Sequence, residues 1–476
     1  MTVDETDRLA GTNGREALSG ITARLAAFAA GLNPADVPER MVALVKRHLL
    51  DQLGVQLACG ALPWVRIATD YVARHGRSGA ATLLGDAARY DAELTAFGNA
   101  VAGHAFELDD SARGASAHPG CVTVPTVLAV GEELDSSGAD ALAALAVGFE
   151  TVTRVGIAMT PSLLLHRGFH ETCVDGVFGA AAAAGRLLGL DQQAMVATLG
   201  IAGSHASGTT EYTQSGGDVK RLHAGLGAMG GVRSARLAAA GFTAPAAILE
   251  GKRGVLQAFC QEYDETAITR ELGQTWEFAD RATLKPSCCA ASIIAQINAA
   301  EQAVAGSGKG VADIAAIRVG LDRKSMTHIG SIGPEPKDAT GAQFSTHYSV
   351  ALALVRGSSD FDTYLTALRG DFADPDVLDL ARRVTVELDP ECDAEYPERW
   401  LGKVDITFAD GTATQGRSYA KGSPLDPMTD DEVRAKFRSL AERVVPAARA
   451  RAVVDLVDRL AELRSVGELL APLRER

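Results

Sequence analysis

Between Gly103 and Gly120 the chain reads GHAFELDDSARGASAHPG, eighteen residues that hold two histidines and three carboxylates between alanine-rich stretches. Histidine changes charge near neutral pH, and a carboxylate beside it fixes its tautomer and supports its charged form, so the pairing suits proton transfer. Pro119 pushes His118 out of the helical region, and Pro125 suits the first turn of a helix over TVPTVLAVGEEL. His118 is therefore expected in a loop that leads into a helix N-terminus, where unpaired backbone N–H groups attract anions. Taken alone, Asp109, Asp110 and Ser111 read equally well as caps and His118 as a turn residue. A second basic cluster tips the balance: in GGDVKRLHAG, Gly216 and Gly217 form a loop, and Lys220, Arg221 and His223 open another helix. Lys220 at a helix start opposes the macrodipole, a local cost that a functional role explains.

Other spacings fail their chemistry. GLGAMG, Gly225 to Gly230, matches a dinucleotide fingerprint, but the preceding GGDVKRLHA is no strand, so these glycines are read as helix contacts. GSGKG at Gly306 lacks a P-loop's first glycine, Ala303 standing there, and no Ser or Thr follows the lysine. His166 and His170 have i, i+4 spacing in HRGFH, yet Arg167 stands where a zinc protease needs Glu, which leaves a loop histidine pair near a cleft. Adjacent Cys288 and Cys289 lack iron–sulfur spacing. No metal and no cofactor are expected.

Composition bounds the scaffold. A chain of 476 residues exceeds one core, and 47% hydrophobic with only 5% aromatic residues means interiors of Ala, Leu and Val, which favour close-packed helices. A net charge of −14 argues against nucleic acid or an anionic membrane as partner, while a small anion can still bind in a locally basic cleft. Seven cysteines without CxxC spacing fit a reducing compartment. The first twenty residues lack a signal peptide's pattern and read as a polar, disordered leader, and no uncharged apolar run is long enough to span a bilayer, so a cytoplasmic protein is expected.

The elements that must position the two clusters follow from periodicity. From Ile21 to about Glu271 the pattern is helical: Asp36, Pro38 and Glu39 suggest a capping-box-like start, Met41, Leu44, Val45, His48 and Leu49 share a face, and Asp191 is an expected N-cap. Beyond about Arg281, IAAIRVGLD, RRVTVELD and KVDITFADGTATQGRS alternate as strands, the last folding back at Asp410-Gly411, between helical stretches at Ala290 to Val304 and Pro375 to Arg382. After KGSPLDPMTDDEV the helical pattern returns, with Thr429 as N-cap and Glu432 completing a capping box. The expected fold is mainly α with an inserted α+β domain: a leader over 1–20, a helical domain from 21–275 and 425–476, and an α+β lid over 276–424.

Together these stretches resemble the MmgE/PrpD family. The matching pieces are GHAFELDDS…HPG, GFHETCVDGVFGAAAAAGRLLGL, KRLHAGLGAMGG, GFTAPAAILEGKRG, AQFSTHYSVALAL and GSPLDPMTDDEVRAKF, in family order from about residue 20 to 470. The resemblance implies a cleft between the helical domain and the lid, a homodimer, no cofactor and a small di- or tricarboxylate as substrate. It places the family's cleft positions on Glu107, Ser111, His118, His170, Lys220 and Tyr348. Two departures bear on the substrate. Glu107-Leu-Asp-Asp-Ser111 stands where relatives read Asp-Phe-Asp-Asp-Thr, with one extra residue before His118. LKPSCCAASII lacks the histidine that often follows Lys-Pro, leaving Ser292 and Cys288 as candidates for its place.

Removing a proton or CO2 beside a carboxylate builds charge that a fixed cation must hold, an effect typically worth about 3 to 4 kcal/mol. The expected roles are acid/base for His118 and His170, carboxylate binding for Lys220 with Arg221 and Lys285, proton donation from the lid for Tyr348, and orientation of the histidines by Glu107 or Asp109. Ser111 is expected to touch substrate. A 2-methylcitrate dehydratase-like lyase is the first expectation, with a cis-aconitate-type decarboxylase next and an iminodisuccinate-type epimerase third. A non-catalytic metabolite-binding helical dimer is the alternative of another class.

Overall fold

The computed structural model describes residues 19–474, so the leader expected over 1–20 lies outside the described residues up to position 18. The chain is mainly helical with a smaller α+β part, as its patterning requires. Helices Glu39–Cys59, Ala92–Gly103, Pro119–Glu133, Gly138–Met159, Gly176–Leu187 and Val219–Ala239 form the helical domain, the last two crossing closely. Small residues allow that crossing: a Cβ on Gly231 would stand 2.4 Å from the Ala180 Cβ, so the glycines of GLGAMGG are helix contacts and no strand precedes them. Gly138–Met159 is long and apolar enough to cross a membrane, but 94% of its apolar window is buried in the protein.

That central helix carries a buried ion pair that ties down the exit from the domain. Arg154 binds Glu150 at 2.6 Å and donates to the carbonyls of Ala267 (3.2 Å), Arg270 (2.7 Å) and Thr275 (2.9 Å). Glu150 in turn accepts from the N–H groups of Glu277 and Phe278. Trp276, Phe278, Ala279 and Leu284 consequently pack in one core with the helices Glu39–Cys59 and Gly138–Met159, with Phe278 stacked on Phe149.

Short strands interrupt the region read as wholly helical. β1 (Ser78–Thr82) pairs with β2 (Arg89–Tyr90), and β3 (Ser111–Ala112) pairs with β4 (Ala282–Thr283). The second pair joins the carboxylate-rich loop to the chain that enters the lid. In the lid, β5 (Ile314–Leu321), β6 (Val384–Leu388), β7 (Leu401–Phe408) and β8 (Ala413–Tyr419) form one sheet of order β6-β5-β7-β8, with β5 and β6 parallel. The β7–β8 turn uses Gly411 at φ 82°, as Asp410-Gly411 implied. Helix Ala291–Ser307 lies on this sheet, so close that a Cβ at Gly416 would meet the Ala299 carbonyl at 1.8 Å.

Helix Asp430–Ala441 returns to the helical domain against Glu39–Cys59, Phe437 seated on Gly54. Its start is the expected capping box, Thr429 and Glu432 exchanging bonds. Asp191 caps as expected by accepting from the Ala194 N–H. Asp36 does not cap: Asn33 opens a 3-10 turn over Pro34–Asp36, and helix Glu39–Cys59 starts after Pro38 without a side-chain cap. Pro125 lies inside helix Pro119–Glu133 because Pro119 already occupies its first position.

Candidate active site

The loop from His104 to His118 joins helices Ala92–Gly103 and Pro119–Glu133, and its conformation is costly. Glu107 sits at φ 55° and Ser116 at φ 56°, left-handed values that a non-glycine residue adopts only under constraint. The constraint on Glu107 is electrostatic. Its carboxylate bonds the Lys220 ammonium, and its other oxygen lies 3.7 Å from Lys285 Nζ. Burial works against the charge, yet these two lysines hold the Glu107 carboxyl well below the usual range.

Asp109 is the hub of the loop. Its Oδ2 accepts from His104 Nδ1 at 2.7 Å and lies 3.5 Å from His118 Nδ1, while Oδ1 lies 3.7 Å from Lys285 Nζ. Burial opposes its ionisation, but His104 and Lys285 keep the carboxyl well below the ordinary value. With Nδ1 protonated, His104 offers Nε2 as an acceptor to Lys220 Nζ at 3.0 Å. Lys220 is thus fixed between His104 and Glu107, with one ammonium hydrogen left for a ligand.

His118 caps helix Pro119–Glu133 from outside, and its Nδ1–H donates to the Asp110 carbonyl at 2.6 Å, which leaves Nε2 as the free nitrogen. Burial, only partly opposed by Asp109, pushes its pKa down to about 3. The expected anion site at this helix start is not available. The Asp110 carboxylate already accepts from the Gly120 N–H at 2.9 Å and pairs with His48 Nδ1 at 2.8 Å.

His170 precedes the short helix Glu171–Val174 and meets His223 Nδ1 to Nδ1 at 3.0 Å, one ring donating to the other. The His170 ring also stacks on His104 at 5.5 Å, and His104 lies tilted against His118 at 4.9 Å. Burial drives His170 well below its normal pKa and His223 down to about 4. Four adjacent imidazoles can share the site because they are neutral. Burial acts oppositely on acids: it pushes the Glu171 carboxyl up to about 7, against the pull of Lys324.

The cleft is lined by Glu107, Ser111, His118, His170 and Lys220 from the helical domain and by Ser292, Lys324, His328, Phe344 and Trp400 from the lid. Six of the residues singled out in the sequence, Ser292 among them, therefore converge. Asp109 and Lys285 lie completely buried behind Glu107 and serve as support. Four expectations change. Tyr348 is fully buried in the lid core, edge-on to Phe372, and does not line the cleft, because its helix Thr346–Arg356 turns that face inward. Arg221 lies over the Trp64 ring at 4.3 Å and donates to the Ala105 carbonyl at 2.8 Å, so it braces the loop from the side away from the cleft. Cys288 is sealed in the lid core, whereas Ser292 reaches the cleft. His166 is exposed and separate from buried His170, so HRGFH is not a pair.

His104, Glu171, Lys324 and His328 were not assigned roles from the sequence. His104 stood in the quoted loop and Glu171 beside His170. Lys324 and His328 carried only i, i+4 spacing behind Asp322, which caps helix Arg323–Ile329. His104, Asp109 and Cys121 bring ligand atoms within 4.8 Å of one another, as a metal would need. These donors already satisfy one another, His104 with Asp109 and the Cys121 thiol with the His118 carbonyl at 3.2 Å, and burial pushes that thiol well above its ordinary pKa. The set fits a hydrogen-bond network better than a metal centre.

Comparison with known proteins places this site in context. Residues 23–267 match the family model of the MmgE/PrpD N-terminal domain, and residues 287–462 match that of the MmgE/PrpD C-terminal domain. A cis-aconitate decarboxylase from Aspergillus terreus is 30% identical over 482 residues, covering 95% of this chain and 96% of that protein. The cis-aconitate decarboxylase-like protein oryM of Aspergillus oryzae is 31% identical over 473 residues, with 95% and 96% covered. The cis-aconitate decarboxylase of Mus musculus is 25% identical over 477 residues, with 96% and 94% covered.

Proposed function

The chain belongs to the MmgE/PrpD family, and from that premise we propose that it is a decarboxylase acting on a small unsaturated tricarboxylic acid of the cis-aconitate type. Its relatives support the coarser statement plainly: it is an enzyme with lyase-type activity on carboxylic acids. They also favour decarboxylation over the dehydration expected first from the sequence.

The observation that carries the finer reading is the fixed Lys220 ammonium beside neutral His118 and His170 in one cleft. In a β,γ-unsaturated acid the methylene–carboxylate bond breaks, CO2 leaves, and the bonding electron pair shifts through the double bond to the far carbon. The carboxylate on that carbon spreads the charge, and Lys220 is positioned to stabilise it without reorganisation. A proton must then reach that carbon. His118 Nε2 faces the cleft while Nδ1 is held by the Asp110 carbonyl, so once a polyanion enters, the imidazolium is favoured and Nε2–H is the donor. The product is a 2-methylene dicarboxylate.

His170 packs between His104 and His223, and Tyr212 packs edge-on to His170 at 5.7 Å. The test is incubation with cis-aconitate, 2-methylcitrate and iminodisuccinate, read by mass: loss of about 44 Da, one CO2, from the first alone is expected. Loss of about 18 Da, one water, from 2-methylcitrate alone would overturn the reading.

A further inference from the structure

The inner wall of the cleft is electrically closed. Glu107 and Asp109 face Lys220 and Lys285, two carboxylates against two ammonium groups, and the surrounding histidines are neutral. A tricarboxylate brings three negative charges into this site, and Lys220 can meet only one of its carboxylates. His118 gains its proton only to deliver it to the reacting carbon, so a carboxylate remote from that carbon needs a cation from elsewhere.

The lid supplies one. Lys324 and His328 sit one turn apart on helix Arg323–Ile329 and both line the cleft opposite the loop of Glu107. Unlike Lys220, the Lys324 side chain has no hydrogen bond or ion pair within the described residues. Its helix is held in place on both sides of the cleft face: Asp322 accepts from the Ser325 N–H at 2.9 Å, and Ile329 is buried in the lid core. His328 packs edge-on against Phe344 at 5.7 Å, and Phe344 also receives Lys220 Nζ 5.4 Å from its ring centroid. One aromatic ring therefore touches both the lid's His328 and the helical domain's Lys220. Glu171, on the cleft wall, has its carboxyl pushed up to about 7 by burial, so near neutrality its protonated form is well populated and can offer an O–H to an anion.

We propose that Lys324, with His328, forms a second carboxylate subsite on the lid, which takes the carboxylate of the substrate's central carbon, while Lys220 holds the one on the carbon that is to be protonated. The subsite supplies from a different helix a polar group where LKPSCCAASII lacks a histidine and its Lys285 is occupied by Glu107 and Asp109. It makes Lys324 a specificity-determining residue: the protein selects acids with a carboxylate beyond the reacting pair. The inference rests on the reading of the site as one for small polycarboxylates.

The test uses binding, so it does not depend on which reaction occurs. Propane-1,2,3-tricarboxylate and glutarate, which lacks the central carboxylate, have no double bond to react and are titrated calorimetrically into the wild type, Lys324→Gln and Lys324→Arg. Thermal melts verify that each variant is folded. A charge-assisted contact of about 1.5–3 kcal/mol corresponds to roughly ten- to hundredfold weaker tricarboxylate binding in Lys324→Gln. Lys324→Arg should restore most of it, and glutarate affinity should stay within about threefold. Unchanged tricarboxylate affinity in Lys324→Gln, an equal loss for both ligands, or no binding by the wild type would overturn the subsite. Discrimination between the two ligands without CO2 release from cis-aconitate would instead overturn the proposed reaction and leave the subsite standing.

Discussion

Lys220 donates to His104 across 3.0 Å although 116 positions of chain separate them. The contact orders both groups: Asp109 fixes the proton on His104 Nδ1, so Nε2 must accept, and the ammonium is held between that nitrogen and Glu107. Replacing Lys220 with Met should remove the charge that stabilises the developing carbanion. The expected loss is about 10²- to 10³-fold in kcat, the scale of one preorganised electrostatic partner. Steady-state CO2 release measures it, and a change confined to KM would mean that Lys220 only binds substrate.

His118 links the site to proton balance. Burial holds its pKa down to about 3, so it is neutral in the free protein at pH 7, and it must gain a proton before it can give one. Tricarboxylate binding should therefore take up close to one proton per site, and affinity should fall as pH rises. Titrations in two buffers of different protonation enthalpy measure the uptake. His118→Ala should abolish it and lower kcat by about 10²- to 10⁴-fold with the fold intact. Undiminished uptake in that variant would assign the proton to another group.

Glu171 makes the opposite pH signature in stability. Burial raises its folded pKa to about 7 from an ordinary 4.5, so the unfolded chain binds fewer protons between those values. The neutral, buried carboxyl is compatible with the fold below about pH 4.5, and stability from this group is lost as pH rises through about 7. Glu171→Gln should leave Tm nearly unchanged at pH 4.5 and raise it at pH 8, with the difference growing between. The buried histidines act in the other sense. Their lowered pKa values make the unfolded chain bind more protons below about 6.5, so both proteins should lose stability together in acid. A Tm difference that did not grow with pH would place Glu171 in an ionised state.

The scaffold was legible wherever one local signal determined an element. Thr429-x-x-Glu432, Asp191 and Asp410-Gly411 are complete within a few residues, and each forms the cap or turn its chemistry specifies. The cleft was legible locally at His118, which Pro119 holds in a loop before a helix, and at Lys220 in its basic cluster, while Glu107 and His170 were placed there by the family resemblance. What the sequence concealed depended on helix phase and on domain contact. Tyr348 and Lys324 lie on different lid helices, and only the phase of each helix decides that Tyr348 enters the core and Lys324 the cleft. Asp110 illustrates a subtler loss. The helix start it precedes looked open to an anion, and the fold uses that carboxylate to close it.

The measurement that bears most directly on the proposed activity is proton NMR of cis-aconitate incubated with the protein in D2O. Loss of CO2 should yield a 2-methylene dicarboxylate carrying one deuterium on the carbon that was the vinylic CH of the substrate, with none in its new methylene group. The wild type is expected to show this product and His118→Ala to show almost none. Substrate recovered intact, or water added across its double bond with no CO2 released, would contradict the account.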